Sequence, residues 1–122
     1  MTRILLVEDE PDIRHLTTLL LEFAGYEVTV VDKGGDAFTA LETYDDIALV
    51  LLDIGLPDIS GWEVLAELRS RLSANELRII VFSAHIGPRE YSRALAGGAQ
   101  GYLTKPFTEE QLLTAITEAT AA

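Results

Sequence analysis

At 122 residues, with 20 acidic and nine basic side chains and a net charge of −11, the chain fits one domain, residues 1–122, because two cores would each be too small. Hydrophobic residues at 48% and charged residues at 24% exclude disorder, and the absence of cysteine excludes disulfide scaffolds, thiol nucleophiles and thiolate metal sites. The nine basic residues are scattered, the start carries no secretory leader and no apolar run approaches the roughly 18 residues of a membrane span, so a cytoplasmic domain without direct nucleic-acid or membrane binding is expected.

Ile4-Leu5-Leu6-Val7 is a buried-strand run that ends in Glu8-Asp9-Glu10. Pro11 and Asp12 open a helix whose Ile13, Leu16, Leu20 and Phe23 are expected on one packed face, with Gly25 as its stop. Glu10 and Asp12 read as partners of that helix's N-terminal dipole and not as ligands. Glu27 to Val31 predicts a second strand, and Gly34-Gly35 precede a helix carrying Ala37, Phe38 and Leu41. Ala48 to Leu52 is the third strand, ending at Asp53, and the helix with Trp62, Val64, Leu65 and Leu68 follows a loop punctuated by Gly55, Pro57 and Gly61. Trp62 reads as a packing residue. Arg78 to Phe82 predicts the fourth strand, with Ser83 at its end, and Pro88 to Ala96 a helix stopped by Gly97-Gly98. Gly101 to Thr104 is a short fifth strand, and Thr108 with Gln111 forms a capping box for the last helix.

Five strands alternating with five helices predict a doubly wound α/β fold, a parallel sheet with helices on both faces. In such sheets the working site lies beyond the carboxyl ends of the strands, where Glu8, Asp9, Asp53, Ser83 and Lys105 all fall. Three carboxylates so close together need a cation, and Mg²⁺, with its preference for oxygen ligands, meets that need together with Lys105. A carboxylate beside two cationic groups is placed to attack phosphorus, which makes Asp53 the nucleophile and Ser83 a donor to the transferred group. His15 and His85 read as surface or helix-face residues, with His85 near the mouth of the site.

The blocks LLVEDEPDIR, LLDIGLPDISGWEVL, VFSA and GYLTKPF resemble those of response-regulator receiver domains of two-component signalling, over nearly the whole chain. The resemblance implies a flavodoxin-like sheet of order 2-1-3-4-5 and a phosphoryl group accepted on Asp53 from a histidine kinase or histidine phosphotransferase. It further implies Mg²⁺ held by Asp9, Asp53 and the Gly55 backbone carbonyl, with Glu8 acting through water. The first acid of such pairs is often aspartate; the longer Glu8 alters that water-mediated part. Lys105 would contact the phosphoryl group across a cis bond to Pro106, and Ser83 and Tyr102 would form the switch.

Such a module catalyses only its own phosphorylation and dephosphorylation and is not an enzyme toward another substrate. The alternatives are a non-phosphorylated interaction scaffold and a Mg²⁺-dependent phosphohydrolase, which would need an aspartate where Gly55 stands. Output is expected through a downstream protein, with the helix from Asp12 and the Arg89, Glu90 and Arg93 side of the fourth helix as docking faces. A monomer or weak dimer is expected, since Gln100-Gly101 replaces the acidic residues of dimerising relatives and the last helix has no arginine.

Overall fold

The computed structural model describes residues 3–84 and 87–121. The chain runs β1 (Arg3–Val7), α1 (Pro11–Phe23), β2 (Glu27–Val31), α2 (Gly34–Thr43), β3 (Ile47–Asp53), α3 (Gly61–Arg71), β4 (Arg78–Ser83), α4 (Pro88–Ala96), β5 (Gly101–Thr104) and α5 (Glu109–Thr120). All neighbouring strands pair in parallel, in the order β2-β1-β3-β4-β5. Both the alternation and the strand order agree with the expectation from sequence.

Period two sorts each strand's side chains into two cores. Leu5, Val7, Val50, Leu52, Ile79 and Val81 pack under α2, α3 and α4, while Ile4, Leu6, Leu49, Leu51, Ile80 and Phe82 pack under α1 and α5. Burial on both faces is why these strands read as unbroken apolar runs. The helices start on local devices: Glu10, expected as a partner of the α1 dipole, is its N-cap and accepts from the N–H groups of Asp12 and Ile13. Thr108 and Gln111 close their capping box at 3.1 and 2.9 Å. Among the described residues no helix is long and apolar enough to cross a membrane.

One expectation is corrected on α1. The structure buries Thr17 and Leu21, with Ile13 and Leu20 packed beside them, whereas Leu16 is 53% and Phe23 87% exposed. The helix carries apolar residues around most of its circumference, so spacing alone admits two stripes. Packing on the sheet selects the one that includes Thr17 and Leu21. α2 also begins at Gly34, inside the expected glycine pair and not after it.

Candidate functional site

The carboxyl ends of β1, β3 and β4 lie side by side, with Val7 opposite Leu52 and Asp53 opposite Phe82. Residues that follow in sequence are thereby brought to one rim. Glu8 is fully buried and Asp53 is 4% exposed, and with Asp9 they place one carboxylate oxygen each within 4.8 Å of one another. Lys105 reaches in from the β5–α5 loop, its ammonium 2.7 Å from Glu8 Oε1 and 3.1 Å from Asp53 Oδ2. That ammonium also stands 4.7 Å above the centroid of the Phe82 ring, whose edge-on partner is Phe107. The peptide bond from Lys105 to Pro106 is cis.

The loops are held by their own backbone. Lys105 N–H donates to the Ser83 carbonyl at 2.9 Å, tying the fifth strand's exit to the fourth's. Gly55 N–H donates to Asp53 Oδ1 at 3.0 Å. Gly61 must be glycine, since a Cβ there would lie 2.4 Å from the Asp53 carbonyl oxygen. Arg14 on α1 points one nitrogen at the carbonyls of Glu8 and Asp9, at 3.3 and 3.4 Å, and so braces the acid-bearing turn. Sequence reasoning did not find Arg14; a basic residue one turn into a helix that follows an acidic turn was its only signal.

The electrostatics separate the two buried acids. Burial pushes the Glu8 carboxyl up to about 7, reinforced by its hydrogen bond to Asp53 and opposed by Lys105. Burial acts on Asp53 in the same direction, but the hydrogen bond from Glu8, the Gly55 N–H and Lys105 outweigh it and hold Asp53 below its ordinary range. The two acids are thereby pushed apart, Glu8 toward the protonated and Asp53 toward the ionised form, and an ionised carboxylate is what a nucleophile needs. The donor set fits a hard divalent cation, being all oxygen and clustered, with three carboxyl groups facing the one ammonium of Lys105.

Ser83 and Tyr102 lie on neighbouring strands, with Tyr102 in register with Val81 and Ser83 with Thr104. Burial raises the Tyr102 hydroxyl above its ordinary value, and the Ser83 hydroxyl works against the rise. The Tyr102 ring is 6.3 Å from that of Tyr91 on α4. Trp62 packs against the core beneath α3, with the Arg93 guanidinium 4.4 Å over its ring, as its packing role requires. His15 is exposed, and His85 lies outside the described residues. Gln100 is bound internally, accepting from Arg69 Nη2 at 2.6 Å and from Ile79 N–H at 2.8 Å.

A parallel sheet of this order with an acidic pocket at the ends of β1 and β3 and a lysine after β5 defines a class. Residues 4–117 match the response regulator receiver domain, and the chain belongs to that family, whose members work in two-component systems with histidine kinases. The chain is 38% identical over 113 residues to the transcriptional regulatory protein KdpE of Mycobacterium tuberculosis, covering 93% of this chain and 48% of that protein. It is 37% identical over 114 residues to the cell cycle response regulator CtrA of Brucella abortus, with 93% and 48% covered. It thus spans about half the length of these curated relatives. Among solved structures, the CheY-like receiver domain protein of Methanospirillum hungatei superposes with a TM-score of 0.87 at 31% identity, covering 97% of this chain and 92% of the other. Vibrio cholerae CheY4 superposes with a TM-score of 0.88 at 26% identity, with 98% of each chain covered.

Proposed function

We propose that the chain is a phosphoacceptor module in which Asp53 takes a phosphoryl group from the histidine of a kinase or phosphotransferase and thereby changes a protein-binding surface. The observation that carries this reading is the ionised Asp53 held 3.1 Å from Lys105 beside two further acids. In the transfer an Asp53 carboxylate oxygen forms the new bond to phosphorus as the phosphorus–nitrogen bond of the donor breaks, and the histidine leaves with the bonding electron pair. Lys105 offsets charge on the phosphoryl oxygens, and Ser83 donates its hydroxyl hydrogen to one of them. Asp9, Asp53 and the Gly55 carbonyl would hold Mg²⁺, with Glu8 acting through a water. When bound, the ion supplies positive charge to the transferring group.

The module modifies only itself and turns over no separate substrate, so it is not an enzyme in that sense. Docking of the phosphodonor along α1 is supported by exposed Leu16, Leu19 and Phe23. An apolar groove of about 260 Å³ lined by Ile13, Leu16, Ala84, Lys105, Pro106 and Phe107 continues that surface. For output we favour a downstream protein over direct contact of this domain with nucleic acid, on the strength of its net charge of −11. A monomer or weak dimer is supported by the internal engagement of Gln100 and by an α5 without a basic residue. The cytoplasm is the compartment such signalling requires. Incubation with Mg²⁺ and a small phosphodonor, followed by intact-mass spectrometry, tests the proposal: one added phosphoryl group supports it, and an unchanged mass contradicts it.

A further inference from the structure

Helix α2 has no cap of its own. The residue before it, Lys33, is extended (φ −135°, ψ 147°) and gives no side-chain bond to the helix start. The missing acceptors come from 24 residues away: Asp58 Oδ1 accepts from Gly34 N–H at 2.8 Å and Oδ2 from Gly35 N–H at 2.9 Å. Those two N–H groups hold the carboxyl below its ordinary range, Gly35 foremost. The approach is close, for a Cβ on Gly34 would lie 2.6 Å from Ile59 Cγ1. The start of α2 and the outer half of the loop 54–60 are therefore interlocked.

That loop is the one that carries Gly55. Its inner end is fixed by Ile54 N–H on the Phe82 carbonyl at 3.2 Å and by Gly61 N–H on the Ile54 carbonyl at 3.0 Å. Only Leu56 and Pro57 separate Gly55 from Asp58, a span of at most about 10 Å of extended chain, so a displacement of Asp58 is felt at Gly55. We propose that Asp58 is a positioning residue for the cation site: by clamping the β3–α3 loop to the start of α2, it fixes the Gly55 backbone beside Asp53. The inference rests on the phosphoacceptor reading above. It assigns to Asp58 a role in metal affinity and gives α2 a direct mechanical link to the site.

The test uses the full chain and Mg²⁺ alone, followed by Trp62 fluorescence and by the amide resonance of Gly55. Wild type must bind; if it shows no saturable response, the phosphoacceptor reading itself fails. With wild type binding, Asp58→Ala should weaken Mg²⁺ affinity roughly tenfold and move the Gly55 amide, while the phosphorylation rate at saturating Mg²⁺ stays near wild type. Asp58→Asn, which keeps one of the two acceptors, should lie between. Adding Lys33→Ser to Asp58→Ala gives α2 a cap from its own preceding residue, so the melting temperature should recover and the Mg²⁺ affinity should not. An Asp58→Ala variant with wild-type affinity, or an affinity restored together with stability by Lys33→Ser, would overturn the proposal.

Discussion

The Lys105 ammonium bridges Glu8 and Asp53, 2.7 Å from Glu8 Oε1 and 3.1 Å from Asp53 Oδ2. Burial holds a proton on the Glu8 carboxyl up to about 7, and a cation that meets Glu8 through a water favours the form without that proton. Because Glu8 titrates at about 7, Mg²⁺ affinity should fall as pH drops below 7, by up to about tenfold per unit, and flatten above 8. Calorimetry at pH 6.5 in buffers of different ionisation enthalpy should reveal a released proton, which Glu8→Gln should abolish. The sign for stability is opposite to that of an ordinary acid. The folded chain holds the Glu8 proton up to about 7, whereas the unfolded chain loses it near the ordinary 4.5, so the cation-free protein should lose melting temperature as pH rises between those values. A melting temperature that climbs over this window, in wild type but not in Glu8→Gln, would contradict the assignment.

Lys105 and a bound cation compete for the same carboxylates. Lys105→Ala should therefore leave Mg²⁺ affinity unchanged or tighter while slowing phosphorylation from a small donor by about a hundredfold, since the charge opposite the phosphoryl oxygens is lost. Equilibrium titration and a stopped-flow phosphorylation trace separate the two effects. Weaker Mg²⁺ binding in the variant would show that the lysine organises the site instead of opposing its charge.

If Ser83 contacts the phosphoryl group and Tyr102 reports it at the surface, their places on neighbouring strands would let the two events be coupled. On phosphorylation, amide shifts should spread from Asp53 through residues 87–105, reporting a coupling of about 1–3 kcal/mol. Ser83→Ala should still accept the phosphoryl group, yet confine the shifts to the loops around Asp53. Identical spectra for the two phosphorylated proteins would remove Ser83 from the switch.

Leu16 and Phe23, placed by periodicity in the core, are instead 53% and 87% exposed on α1, and Leu16 lines the apolar groove with Pro106 and Phe107. Leu16→Asp should slow transfer from a phosphorylated histidine partner at least about tenfold without changing the rate from a small donor, because only the former needs the docking face. Equal slowing with both donors would place the effect at Asp53 and not at docking.

What could be read from the chain follows from where its information is local. Asp53, Glu8, Asp9, Ser83 and Lys105 each stand next to a short apolar run, and a parallel sheet forces all such ends to one rim, so alternation alone assembles them. The buried side of α1 was not local in this sense: its apolar residues run round the helix, and the sheet made the choice between Thr17 and Leu16. Asp58 was missed for a related reason. Its partners are N–H groups of Gly34 and Gly35, and no sequence pattern links a loop carboxylate to a helix start two elements earlier.

With Asp53 as the single phosphoryl acceptor, dependent on the acid cluster and its cation, phosphoryl incorporation must vanish when either is removed. Intact-mass spectrometry of wild type, of Asp53→Asn and of wild type with excess chelator, each after the same phosphodonor treatment, decides both points. One phosphoryl group on the first and none on the other two is the predicted result; full incorporation in Asp53→Asn, or in the chelated wild type, would contradict it.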